Sequence, residues 1–121
     1  MIECLLVGFG GFFGSILRYL IGLIPLKNDS TFPLKTLIIN VVGAFVLSLI
    51  VSLAAKNPAV SNRILLMLKV GLCGGFTTFS TFAYEAGNLF SSGKWTIALL
   101  YIIMSVTLGV LACFLATMVV E

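Results

Sequence analysis

Four apolar stretches occupy nearly the whole chain, running over residues 2–26, 34–55, 64–90 and 95–120. Each is about as long as the ~20 residues that carry a helix across a bilayer's hydrocarbon core. Short polar runs divide them: Lys27-Asn28-Asp29-Ser30, Lys56-Asn57-Pro58 and Ser91-Ser92-Gly93-Lys94, residue types that cap and turn helices. In lipid, a spanning backbone must satisfy its polar groups internally, which leaves helices or closed barrels. The pattern predicts an all-α, four-helix transmembrane protein with helices over 2–26, 34–55, 62–90 and 95–120. They form a single transmembrane domain, 1–121, with both ends on one side. Composition agrees: 60% of the 121 residues are apolar and 9% charged, against about 45–50% and about 25% in soluble domains.

The first stretch is too long for a signal-peptide core, lacks a basic start and has no small-x-small cleavage site, so it reads as a retained helix. Cys4, Cys73 and Cys113, odd in number and without ligand-like spacing, read as buried free thiols. With no histidine, no paired carboxylates and no nucleophile–base set, the chain does not read as an enzyme. Nothing points to a nucleic acid partner.

Lys and Arg near helix ends set membrane orientation. Lys56, Arg63 and Lys69 fall on one side, and Lys27, Lys35 and Lys94 on the other; Arg18, inside helix one, has an ambiguous depth. Three against three gives no preferred orientation. That points to insertion both ways and antiparallel self-pairing, unless a partner or the lipid sets one orientation. Helix one also contains GFGGFFG, with Gly10 and Gly14 spaced for close helix approach, either between subunits or within one. No strand precedes these glycines and the third is misplaced, so they form no dinucleotide-binding loop.

Polar residues align on single faces. Helix two carries Thr36, Asn40 and Gly43 at i, i+4 and i+7. Helix four carries Tyr101 and Ser105, continued by Gly109. Helix three carries Thr77, Thr78, Ser80 and Thr81 among a Phe76, Phe79 and Phe82 stripe. Unpaired polar groups are costly in hydrocarbon, so these faces should meet one another or water. Three such faces favour a permeation path over hydrogen-bond glue. Asn40 alone fits either, and the phenylalanine stripe alone would be ordinary packing. Amides, hydroxyls and phenyl ring edges can serve a small anion, water or a neutral solute, so the chemistry leaves the substrate open. Gly71, Gly74 and Gly75 followed by threonines weaken the third helix near its middle. A break there would expose carbonyls and amides able to hold ions; the alternative is a continuous helix whose threonines bond back to the preceding turn.

Three stretches resemble one family. GGFFGSILRY (10–19), PLKTLIINVVGAF (33–45) and GLCGGFTTFSTF (71–82) are similar to successive elements of the CrcB/Fluc fluoride channels, nearly along the whole chain. The resemblance implies an antiparallel, dual-topology homodimer in the bacterial inner (plasma) membrane that lets fluoride leak passively out of the cell through two narrow pathways. It implies that Asn40, Phe79, Phe82, Ser80, Thr81, Tyr101 and Ser105 border the fluoride path, with Arg18 and Glu85 near its entrance. It further implies that the backbone carbonyls of Gly74 and Thr77 hold a central structural Na+ at the dimer interface. Two symmetry-related copies would supply four carbonyl oxygens there. One departure stands out: Lys35 occupies a position where the family pattern has glycine. It either adds positive charge near an entrance or snorkels outward.

Two other readings remain open. A small proton-coupled multidrug-type exporter shares the length, helix count and dual topology, but needs a mid-membrane carboxylate in helix one. A non-transporting assembly protein would be held together by glycine packing.

Overall fold

The computed structural model describes residues 1–26 and 31–121; the expected turn Lys27-Asn28-Asp29-Ser30, with the Lys27 charge, lies outside the described residues. The described residues are helical almost throughout. α1 spans Ile2–Leu23 and α2 Leu34–Lys56. The third span comprises α3 (Asn62–Leu66), a π-helical stretch (Met67–Cys73), α4 (Gly74–Phe76) and, after a break, α5 (Phe79–Ser91). α6 spans Trp95–Val120. All four spans are long and apolar enough to cross a membrane.

Local chemistry sets the ends. α1 stops at Leu23 rather than 26 because Pro25 pushes the preceding residue to extended backbone: Ile24 has φ −66 and ψ 123. Ser61 caps α3, its hydroxyl accepting from Ile64 N at 3.2 Å. α5 ends in a Schellman turn, with Lys94 N on Leu89 O, Gly93 N on Phe90 O, and Gly93 at φ 77. Lys56 Nζ donates to Val120 O, and Arg63 pairs with Glu3 at 3.3 Å. Both chain ends and the α2–α3 loop therefore gather at one end of the bundle.

Two interfaces hold the spans together. In one, α2 and α5 pack against α6 around Leu37, Ala86, Leu89, Ala98 and Tyr101; Ala98 and Tyr101 are fully buried. In the other, α1 lies directly against the third span. A methyl group on Gly10 would stand 2.8 Å from Leu72 N, and one on Gly75 2.8 Å from Gly11 O. One on Gly14 would overlap the Leu72 carbonyl. The small-xxx-small pair thus packs within the subunit and is not free to join two subunits. Between apolar helices in lipid, such close contact supplies association that hydrophobicity cannot. Meanwhile Phe9, Phe12, Leu20, Leu111 and Phe114 stand exposed, as lipid-facing positions should.

The thiols depart from expectation: Cys73 is buried, Cys113 half-buried and Cys4 exposed. Apolar neighbours on a lipid-facing helix do not bury a residue inside the protein.

The seam makes a prediction. Gly14→Ala is expected to destabilise the fold by about 1–3 kcal/mol, because the obstructing atoms are backbone and cannot step aside. A lowered thermal midpoint in detergent checks it; an unchanged midpoint would mean that α1 can back away at no cost.

Candidate functional site

The third span opens at two threonines. Thr77 has φ −82 and ψ 157, and Thr78 φ −149 and ψ 116, both extended. Gly74 and Gly75 themselves remain helical, so the break falls just after the glycine pair. Thr77 does bond back to the preceding turn, its Oγ1 donating to Cys73 O at 2.9 Å, yet the helix does not continue.

Several of the helical bonds lost there have replacements. In an unbroken helix Thr78 N would serve the Gly74 carbonyl; here it donates to Asn40 Oδ1 at 2.8 Å. Asn40 Nδ2 in turn donates to Thr78 O at 3.1 Å. One side-chain amide thus takes both main-chain groups of Thr78, which also fixes which end of the amide is oxygen. Thr81 N, the helical partner of the Thr77 carbonyl, goes instead to Thr78 Oγ1 at 3.2 Å, capping α5. Arg18 Nε donates to the Gly75 carbonyl at 3.2 Å, placing a cation at the negative end of the first half-helix.

What remains, among the described residues, is a set of unclaimed helix-end groups. The Gly74 and Thr77 carbonyls have left the ladder. At the start of α5, the Phe79 and Ser80 amides precede any helical acceptor and carry the positive end of that helix's dipole.

Two cavities flank Thr78, which lines both. The first, about 350 Å³, lies among Asn40, Thr77, Phe79, Phe82 and Ser105. The Phe79 and Phe82 ring centroids are 5.9 Å apart, and Ser105 Oγ is buried without a hydrogen-bond partner among the described residues. The second, also about 350 Å³, is lined by Arg18, Lys35, Thr36, Thr81 and Glu85. Hydroxyls connect the two: Thr78 Oγ1 donates to Thr81 Oγ1 at 3.1 Å and lies 3.4 Å from Ser80 Oγ.

Not every expected residue joins these cavities. Tyr101 is wholly buried. Its ring packs on Phe82 at 5.1 Å and Phe32 at 5.5 Å, and its hydroxyl donates to Glu85 Oε1 at 3.2 Å. It therefore holds the Phe82 ring and the Glu85 carboxylate rather than lining either space. Ser80 is exposed beside the break. Phe76 lies across the break from Phe79, in a small apolar cavity with Cys73. Thr78, the residue around which the site is built, was not singled out from the sequence. Its signal is a helix-capping residue type just after the glycine pair.

A model of the family described as "CrcB-like protein, Camphor Resistance (CrcB)" matches residues 5–117. The chain belongs to the CrcB-like family. A relative from Chlorobaculum tepidum named "Fluoride-specific ion channel FluC" is 40% identical over 121 residues, covering all of this chain and 96% of the relative. A protein of the same name from Rhizobium johnstonii is 43% identical over 113 residues, 93% of this chain and 90% of its own. A third, from Azobacteroides pseudotrichonymphae, is 36% identical over 120 residues, 98% of this chain and 96% of its own. With four apolar spans and bacterial relatives, this CrcB-like chain is a multi-pass bacterial membrane protein.

Among the described residues, no cluster of His, Cys, Asp or Glu could hold a metal. A cation site in this CrcB-like chain would have to use neutral oxygens, and the Gly74 and Thr77 carbonyls fit that need. Both are released from helical bonding, and Gly74 is exposed, so a second copy could approach it.

Proposed function

We propose that this protein is a fluoride-selective channel in the bacterial inner membrane, conducting passively as an antiparallel homodimer and so lowering cytoplasmic fluoride. The observation that carries the reading is the break at Thr77–Thr78, clamped by Asn40 beside the Phe79–Phe82 pair. The names of the family relatives supply the ion.

The chemistry suits a small, tightly hydrated anion. Shedding water requires replacement donors, and the site offers the Phe79 and Ser80 amides, the Ser80 and Thr81 hydroxyls, and the Ser105 hydroxyl, which has no partner among the described residues; the Thr78 hydroxyl is committed to Thr81. Phenyl ring edges carry the positive part of the aromatic quadrupole and wall the path without binding the ion tightly. Arg18 adds positive charge at the second cavity, while Glu85 is steadied by Tyr101. The Gly74 and Thr77 carbonyls of two copies would hold Na+ at the interface. When bound, that ion would supply positive charge, offsetting the carbonyl dipoles gathered by two broken helices.

The exporter and assembly readings draw no support from the family or the site. Among the described residues, α1 has only Glu3 as a carboxylate, at its first turn and paired with Arg63.

The test is efflux from liposomes loaded with fluoride or chloride, made electrically silent with a potassium ionophore. Fluoride should leave far faster than from protein-free vesicles, and chloride should not. Fluoride loss no faster than the protein-free control would end the reading. Repeating the assay with sodium replaced by a bulky organic cation should abolish conduction and dissociate the dimer; intact flux and dimer would remove sodium from the proposal.

A further inference from the structure

Lys35 is the charged residue at the second cavity that the conduction reading leaves unused. It stands at the second position of α2, half-buried, and its Nζ donates to the Gly22 carbonyl at 2.7 Å. α1 ends at Leu23, so that carbonyl belongs to the last turn and has no helical donor. A cation there also meets the negative end of the α1 dipole. The ammonium is therefore anchored between two helix ends and does not reach outward along the surface.

Its position matters because of what it faces. Lys35 lines the cavity that holds Arg18, Thr81 and Glu85, and also an adjoining space of about 230 Å³ beside Phe32 and Glu85. Among the described residues the ion pairs all involve Glu3, so neither cation at this cavity is neutralised by direct pairing with Glu85. Among the described residues the lining carries two cations and one carboxylate, a formal +1. Without Lys35 it would carry one of each and sum to zero. Lys35 thus supplies the net positive charge of this lining at the mouth of the threonine pair.

We propose that Lys35 makes this cavity an anion-collecting antechamber, raising the rate at which fluoride enters when it is scarce. The inference rests on the fluoride-conduction reading and on the placement of Lys35 at this cavity. Attraction by a charge in a water-accessible cavity is screened by salt. The Debye length shrinks from about 30 Å at 0.01 M to about 8 Å at 0.15 M, so the contribution must fade as ionic strength rises.

The experiment compares wild type, Lys35→Met and Lys35→Arg in the liposome assay at low fluoride, with an impermeant potassium salt at ~10 mM or ~300 mM. Lys35→Met keeps the apolar stem and removes the charge; Lys35→Arg keeps a cation and a donor for the Gly22 carbonyl. Expected is an initial rate about threefold lower for Lys35→Met at low salt, converging on wild type at high salt, with Lys35→Arg near wild type throughout. Equal rates for Lys35→Met and wild type at low salt would overturn the proposal. So would a deficit that persists undiminished at high salt, since it would mark Lys35 as a helix latch alone. A wild-type protein that conducts no fluoride would overturn the conduction reading itself, a result visible before any variant is compared. If Lys35→Met cannot be purified folded, the wild type alone decides: its low-fluoride rate must fall with added salt, and a salt-independent rate refutes the antechamber.

Discussion

Replacing Asn40 by aspartate is expected to reduce fluoride efflux by about a thousandfold. The native amide is used at both ends, accepting from Thr78 N at 2.8 Å and donating to Thr78 O at 3.1 Å. Aspartate keeps the acceptor but turns a second negative oxygen toward the Thr78 carbonyl. Leaving a part-buried carbonyl without its donor costs about 1–3 kcal/mol. A new negative charge on the cavity wall also opposes any anion passing it, by about 4 kcal/mol at 4 Å with an effective dielectric of 20. Since about 1.4 kcal/mol is tenfold in rate, the charge alone accounts for about three orders of magnitude. Asn40→Ala removes both hydrogen bonds without adding charge and should fall between this variant and wild type. The liposome efflux rate checks both. An aspartate variant conducting within about tenfold of wild type would show that Asn40 does not border the ion's route.

The second large effect separates conduction from stability. Phe79→Ile is expected to lower fluoride efflux by about tenfold or more while leaving the thermal midpoint nearly unchanged. Phe79 is 78% exposed in the single subunit, and its one aromatic neighbour is Phe82 at 5.9 Å, so little packing is lost. Phe82 differs because its ring also meets the buried Tyr101 at 5.1 Å. Phe82→Ile should therefore lose both flux and stability, the aromatic contact being worth about 0.5–1.5 kcal/mol beyond area. Measuring efflux and thermal midpoint side by side distinguishes the two. Wild-type flux in Phe79→Ile would remove the ring from the conduction path.

The four spans were legible because lipid leaves a chain so few alternatives. Their ends were legible to within the reach of single residues: Pro25 draws the end of α1 back to Leu23, and Gly93 closes the turn before α6. The polar stripe of α2 was also legible, since Thr36 and Gly43 are buried and Asn40 faces the break. The position of the break was harder to read. Glycines suggest a weakened helix, but Gly71 and Gly75 are needed where α1 approaches the backbone, and a helical glycine costs only about 1 kcal/mol. The interruption instead follows from Thr78 acting as a cap and from Asn40, 38 residues earlier, taking both main-chain groups of Thr78. The π-helical stretch over Met67–Cys73 has no side-chain signature, since only the hydrogen-bond offset changes. The partner of Gly10 and Gly14 was equally hidden, because the same spacing serves a neighbouring helix of either origin. The place of Tyr101 on the α6 stripe was legible, but its bond to Glu85 depends on how α5 packs, which spacing along one helix cannot reveal.

The glycine seam also imposes an order on biogenesis. Arg18 meets the Gly75 carbonyl across 57 residues of chain, and Gly10 and Gly14 lie against that same later segment. While the ribosome is still producing α2, the first helix therefore has a bare notch and no partner to fill it. It must stay laterally loose in the bilayer until the third span arrives. Docking of that span then locks the earliest-made helix, so a nascent chain halted before residue 71 should leave α1 open to extraction or degradation.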